Sequence, residues 1–253
     1  MKATRRSSTP FLNELIGFGL LIILWAVLSL FFPVYIIPSP IEVFKATPEF
    51  LNAQFFSAMG ITLLRIVVGF AISFFIGTGL ATLFAGTKLS EQLSAMVQAF
   101  QVIPAVTVGV ILVIIFGVGS APPIILITLM TLPLVFMNTL QALKFPDPKL
   151  LEYLDSIKAD RKLRFSALMK PQIIKVTRTN LILGFSMASK IAVTGEFIGS
   201  QDGLGYLLNK ARLVFAMKEV FFYIFFFIVL TVLFQGLVEL IYATSLRKYT
   251  YGD

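Results

Sequence analysis

Residues Gln92 to Leu143 read QLSAMVQAFQVIPAVTVGVILVIIFGVGSAPPIILITLMTLPLVFMNTLQAL, without one charged side chain. A helix crosses a bilayer with about 20 mostly apolar residues. The run is too long for one such helix and suits two. Gly117-Val118-Gly119-Ser120-Ala121-Pro122-Pro123 supplies the break, because Gly and Pro end helices. Pro104 falls inside the first of the pair and is expected to kink it; a hinge near a pore is a second reading.

Further spans lie on both sides. Leu15 to Phe32 is uncharged and follows Lys2, Arg5 and Arg6. It exceeds the apolar core of a signal peptide, and Pro33-Val34-Tyr35 follows instead of a small-residue cleavage site, so it reads as an uncleaved first span. A short amphipathic stretch, punctuated by Ile37-Pro38-Ser39-Pro40 and Thr47-Pro48 and ending near Ala58, is placed on the outer surface. The second span runs from about Gly60 to Phe84, with Arg65 near its outer end. Lys88 and Glu91 form a short inner loop. The fifth span covers about Thr179 to Ile198 and the sixth lies between Glu219 and Glu239.

The expected architecture is all-α, a polytopic membrane protein of about six transmembrane helices with both termini inside. Composition agrees. Hydrophobic residues make up 57% and charged residues 13%, with a mean hydropathy of +0.90. Soluble domains run at roughly 45–50% and 25%. Fifteen Lys and Arg fall on the segments assigned inside and four (Lys45, Lys210, Arg212, Lys218) outside, as the positive-inside rule requires. The net charge of +8 is therefore assigned to loops at an anionic bilayer surface, not to nucleic acid. The chain has no His and no Cys, which excludes Ser-His-Asp and Cys-His nucleophile systems, His-based zinc sites and disulfides. No catalytic residue and no metal ligand is expected.

Lys144 to Arg178 is the longest polar stretch. Asp147 reads as an N-cap with Pro148 at the first helical position. Leu150, Leu151, Leu154 and Ile157 form an apolar stripe at helical spacing. A second short helix is expected from about Asp160, with Asp160 and Arg164 paired at i,i+4 and Pro171 as its end. Two short helices joined by a turn on the inner face make a knob that another protein could grip. A helical hairpin lying on the lipid surface fits the same pattern.

This region resembles the "EAA" loop of bacterial ABC importer permeases, of the nitrate/sulfonate/taurine branch. Glu152-Tyr153-Leu154, Lys158 at the usual Gly position, Ala159, Arg161, Phe165 and Lys170-Pro171 keep the spacing. The flanks continue it in order: Pro38-Ser39-Pro40-Ile41-Glu42-Val43-Phe44, Leu64-Arg65-Ile66-Val67-Val68-Gly69-Phe70, Phe116-Gly117-Val118-Gly119, Asn138-Thr139, Asp147-Pro148, and Gly195-Glu196 through Gly203-Leu204-Gly205-Tyr206-Leu207. Tyr153, Leu154 and Lys158 depart from the pattern. If the Gly position needs positive φ, Lys158 carries roughly 1 kcal/mol of strain.

The resemblance implies a type I ABC importer transmembrane fold in the bacterial plasma (inner) membrane. Residues 1–55 would hold the N-terminal tail, first span and outer segment. Residues 56–245 would form the five-helix transmembrane domain with its cytoplasmic coupling loop at 144–178, and 246–253 a cytoplasmic tail. It implies a homodimer of permeases, two ATP-binding subunits and an extracytoplasmic binding protein that delivers a small solute. Glu152, Leu154, Asp155, Ser156, Lys158, Ala159 and Asp160 would lie at the ATPase contact. The chain has no GxxxxGK[ST] loop, so it carries no cofactor and ATP belongs to the partner ATPase. A stand-alone secondary transporter or channel, and a scaffold for other membrane proteins, are the competing classes. Secondary transporters often show repeats and intramembrane carboxylates, and no repeat is visible here.

Within the spans, Gly77, Ala81 and Ala85 form a small-residue series read as close helix packing. Ser186, Lys190 and Thr194 lie at i, i+4 and i+8 on one face of the fifth span. At 1.5 Å per residue, Lys190 sits about 18 Å beyond Arg178. A Lys at that depth costs about 2.5–3.5 kcal/mol facing lipid, so it belongs to a pore or to a polar helix interface. Glu196, near the outer end, faces water, pairs with a basic residue or meets the binding protein. Ser186, Lys190, Thr194 and Glu196 are the candidate translocation residues.

Overall fold

Bilayer-length apolar runs dictate helices, since in lipid every backbone group must find its partner within the segment. The computed structural model describes residues 10–144 and 148–245, and there it is helical with short connections. The helices are α1 (Pro10–Ser29), α2 (Pro40–Phe50), α3 (Ala53–Phe84), α4 (Leu89–Gln101), α5 (Ala105–Phe116), α6 (Ala121–Lys144), α7 (Pro148–Ser156), α8 (Arg161–Arg164), α9 (Lys170–Gly199), α10 (Leu204–Leu213) and α11 (Met217–Ser245). A π-helical turn, Phe165–Met169, joins α8 to α9.

Among the described residues, four helices are long and apolar enough to cross a membrane: α3, α6, the continuous 161–199 segment and α11. The α4–α5 pair makes a fifth if it counts as one span. The described apolar part of α1, Ile16–Ser29, is shorter than the others.

Several expectations change in detail. Pro104 does not kink a helix; it separates α4 from α5, which diverge by 88°. Its ring removes an N–H and disfavours helical geometry at Ile103, and Pro104 itself adopts φ −61°, ψ 133°. The outer stretch ends at Phe50, not Ala58. Asn52 caps α3, accepting from Phe55 N at 3.0 Å, so the second span starts earlier than Gly60. Pro171 does not end a helix either. Lys170 N bonds to Phe165 O, the i→i+5 pattern, and the helix passes through Pro171 into α9. Ser39 closes a capping box with Glu42 at the start of α2, and those bonds from the Ser39 backbone N–H and hydroxyl hold the Glu42 carboxyl below its ordinary pKa.

The core is α6 between α3 and α9. Small residues let α3 and α6 approach. A Cβ on Gly69 would lie 2.8 Å from Ile127 and one on Gly77 3.1 Å from Val135, while Ser73 and Ala81 have no exposed surface. Gly77 and Ala81 thus pack as expected, and the series starts two steps earlier, at Gly69 and Ser73. The helices α2 and α10 and the N-terminal ends of α3 and α11 share an aromatic cluster around Phe55, Phe222 and Tyr223. Trp25 brings α1 to it, stacking on Phe221 at 5.3 Å and donating to Pro38 O at 2.9 Å.

Candidate functional site

The knob between α6 and α9 is held by local chemistry. α7 begins at Pro148, as expected; Asp147, its expected cap, lies outside the described residues. Its end is a Schellman motif: Lys158 N bonds to Asp155 O at 3.0 Å and Ala159 N to Leu154 O at 2.9 Å. That motif needs a left-handed residue at its penultimate position, and Lys158 supplies it at φ 46°. The usual Gly position therefore does demand positive φ, and this chain meets the demand with a strained Lys.

Asp160 caps α8, accepting from Leu163 N at 2.8 Å. With that carboxylate engaged, Arg164 turns away from its expected i,i+4 partner. It binds Asp155 at 2.5 Å and donates to Ala159 O at 3.1 Å, clamping α8 across the turn onto α7.

The expected contact residues therefore divide by task. Leu154 is buried, and Asp155, Ala159 and Asp160 hold the turn. Glu152, Ser156 and Lys158 are exposed, with the Ser156 hydroxyl donating to Tyr153 O. Residues outside the expected contact set complete the surface: Tyr153 is 60% exposed and Phe165 55%, with Ile157 and Leu163 also open. Large apolar side chains on an otherwise polar loop were the available signal.

At the opposite end of the spans lies a buried charge cluster. Glu196 of α9 has no exposed surface. It accepts from Arg65 of α3 at 2.9 Å, from the Thr62 hydroxyl at 2.9 Å and from Gly205 N at 2.8 Å. Arg65, 1% exposed, also donates to Ser120 Oγ at 2.7 Å and to Asp202 through Oδ1 at 2.5 Å and the backbone oxygen at 3.1 Å. Leu204 N completes it, donating to Thr62 Oγ1 at 2.8 Å.

Gly203 passes directly over Glu196 with φ 93°; a Cβ there would sit 2.5 Å from the carboxylate. One guanidinium thus ties α3, the α5–α6 connection, α9 and the α9–α10 turn together. Partial burial raises the pKa of Asp202, but the Arg65 guanidinium and the Ser200 hydroxyl outweigh it and hold the carboxyl below its ordinary value. Of the three readings of Glu196, pairing with a basic residue is the one realised. Glu196 has no exposed surface in this arrangement, so its carboxylate meets these partners and not an open path.

The polar stripe on α9 also separates. The Ser186 hydroxyl donates to Ile182 O and accepts from Gln235 of α11 at 2.9 Å, which puts it in a helix–helix contact. The Thr194 hydroxyl turns back onto Lys190 O at 3.2 Å. Lys190 is exposed, and its ammonium makes no hydrogen bond or ion pair to a described residue. Its side chain borders an open cleft of ≈ 410 Å³ between α9 and α11, lined mainly by apolar groups such as Val193, Ile224 and Phe227. Lower on the same helix pair, Arg178 bonds to Glu239, and Asn180 links to Asn138 at 3.0 Å and Thr139 at 2.9 Å on α6.

Residues 69–247 match the family described as "Binding-protein-dependent transport system inner membrane component". The formylaminopyrimidine transport permease protein ThiX of Halalkalibacterium halodurans is 26% identical over 90% of this chain and 92% of its own. The putative aliphatic sulfonates transport permease protein SsuC of Bacillus subtilis is 26% identical over 81% and 75%. The taurine transport system permease protein TauC of Escherichia coli is 26% identical over 76% and 73%. With an all-helical multi-pass fold and a family match over most of its length, the chain belongs to the binding-protein-dependent transport inner-membrane components and is a permease subunit of an ABC importer.

Proposed function

We propose that two copies of the chain form the translocation path and that each grips one ATP-binding subunit through the α7–α8 knob. ATP is bound and hydrolysed by that separate chain. A binding protein delivers the solute at the face that carries Asp202 and α10, and both termini lie in the cytoplasm. The knob supports this reading best. It is a short, clamped helical hairpin whose exposed end carries Tyr153, Ile157, Lys158 and Phe165, an apolar and cationic surface that no described residue covers. It lies among the Lys and Arg of 144–178, the richest basic stretch, which the positive-inside rule assigns to the cytoplasm.

ATP-driven closure of the two ATPases would move the knobs as rigid bodies. The continuous 161–199 helix would carry that motion from the knob to the outer charge cluster. Ser186, Lys190 and Thr194 lie along this helix, and only Lys190 among them is free to meet the path.

The chain has no Cys, so single introduced cysteines report topology without background. Lys158→Cys is expected to resist an impermeant thiol reagent in intact cells and Lys210→Cys to react; the reverse pattern defeats the orientation. Glu152→Lys is expected to lower transport while the protein still inserts, and unchanged transport with unchanged transport-stimulated ATP hydrolysis would remove Glu152 from the contact.

A further inference from the structure

A polar pocket of ≈ 380 Å³ opens between α6 and α9 at the knob end of the bundle. Asn138 and Gln141 of α6 line it, with Gln172, Lys175, Val176 and Thr179 of α9. It lies on the α6 side of α9, whereas the cleft beside Lys190 lies on the α11 side. Its height follows from the helix. Arg178 and Glu196 lie about 27 Å apart along α9, close to the roughly 30 Å of the hydrocarbon core. The pocket's α9 residues run from Gln172 to Thr179, around Arg178, which puts it in the headgroup layer and not among acyl chains.

Its bonding groups are only partly committed. The Lys175 ammonium is exposed, and neither it nor the Gln141 amide bonds to a described residue. Asn138 donates to Asn180 at 3.0 Å, which leaves Asn138 Oδ1 as an acceptor. The Thr179 hydroxyl is spent on Lys175 O at 3.2 Å. Gln172 Oε1 is buried and accepts from no described donor. An unpaired buried oxygen costs free energy, and turning the Gln172 amide into the pocket relieves that cost only where a donor waits. The pocket thus offers an ammonium and an amide NH₂ to an anion, and two amide oxygens to hydroxyl donors.

We propose that this pocket binds a phospholipid headgroup in which an anionic phosphodiester stands beside hydroxyl groups, the chemistry of phosphatidylglycerol. The phosphate meets Lys175 and the Gln141 amide, and the headgroup hydroxyls donate to Gln172 Oε1 and Asn138 Oδ1. Basic pockets between spanning helices take anionic headgroups in this way. Phosphatidylcholine has no net charge and no N–H or O–H donor, so it satisfies neither half of the pocket.

The test is native mass spectrometry of the full chain, purified in dodecyl maltoside, with dioleoyl phosphatidylglycerol, phosphatidylcholine or phosphatidylmethanol. The last is an anionic phosphodiester without hydroxyls. Phosphatidylglycerol is expected to bind about fivefold more tightly than either. Lys175→Gln should remove most of the margin over phosphatidylcholine, and Lys210→Gln, which takes the same charge from the other end of the bundle, should leave it. Gln172→Leu should remove the margin over phosphatidylmethanol. Equal binding of phosphatidylglycerol and phosphatidylcholine, or equal effects of Lys175→Gln and Lys210→Gln, overturns the site. Equal binding of phosphatidylglycerol and phosphatidylmethanol overturns the match to a hydroxyl-bearing headgroup. The parent chain decides both comparisons of lipids even if a variant fails to insert. Displacement of the bound lipid by equimolar soluble glycerophosphoglycerol would give the pocket to a free phosphodiester and overturn the lipid.

Discussion

Replacing Arg65 by Met removes the cation that ties α3 to the α5–α6 connection, α9 and the α9–α10 turn. Arg65 meets Glu196 at 2.9 Å, Asp202 at 2.5 Å and Ser120 at 2.7 Å, and it is almost wholly enclosed. Without it, Glu196 keeps the Thr62 hydroxyl and the Gly205 N–H but remains a buried carboxylate without a counter-charge. Breaking a buried pair in this way costs about 3–5 kcal/mol.

Asp202→Asn should cost far less, because that side chain is 53% exposed and water replaces the lost bond. Glu196→Gln falls between, since Arg65 still has Asp202. Removing both charges, as Arg65→Met with Glu196→Gln, takes away the uncompensated ion, so the double variant should lose less than the sum of the singles by about 0.5–3 kcal/mol. The assay is equilibrium unfolding of the full chain in lipid–detergent micelles titrated with dodecyl sulfate and followed by circular dichroism. An Arg65→Met variant as stable as the parent, or a double variant as costly as the summed singles, would refute the view of the cluster as one coupled unit.

Three further outcomes are expected. Lys158→Gly should stabilise the knob by up to about 1 kcal/mol by relieving its φ of 46°, read by the same titration; a loss of stability would mean that the Lys side chain, not the backbone, holds the turn. Gly184→Ala places a Cβ 2.4 Å from the Phe70 ring and should cost about 1–3 kcal/mol, with recovery on adding Phe70→Leu; no rescue would place the clash elsewhere. Asp202 has a lowered pKa in the folded chain, so its contribution is full above the unfolded value of about 3.9 and is lost as pH falls through the folded value. The stability gap between the parent and Asp202→Asn should therefore be constant from neutral pH down to the carboxylate range and close below it; a gap that stays open in acid contradicts that assignment.

Much of the bundle is legible in the sequence because lipid makes harsh demands. A charge-free run from Gln92 to Leu143 has few alternatives to helices, and the Gly117–Pro123 break falls where expected. Pro104 and Pro171 depart from expectation for one shared reason. A missing N–H can break a helix or be absorbed, and the choice depends on neighbouring backbone: Pro104 sits at an 88° break, whereas the π turn before Pro171 takes up the mismatch.

Arg65 and Glu196 are both conspicuous, yet 131 residues of separation carry no sign that they meet. The motifs that mark the resemblance are the ones that build these contacts: Arg65, Glu196, Gly203, Leu204 and Gly205 at the buried charge cluster, Asn138 and Thr139 against Asn180. They are readable as a pattern before they are readable as chemistry. Helical spacing offers Asp160 as the partner of Arg164, but that carboxylate is already spent on capping, and Arg164 takes Asp155 instead.

The central claim is that the α7–α8 knob couples this permease to an ATPase, and it is tested most directly by purifying the full chain from its own membranes and assaying ATP hydrolysis. Activity is expected to accompany the parent chain. It should be lost on introducing Tyr153→Glu and Phe165→Glu together, which charge the exposed apolar surface while leaving Leu154 and the Arg164–Asp155 clamp in place. Unchanged insertion must be confirmed in the same membranes. ATP hydrolysis that stays with the doubly charged variant at the parent level, or never accompanies the parent, would contradict the account.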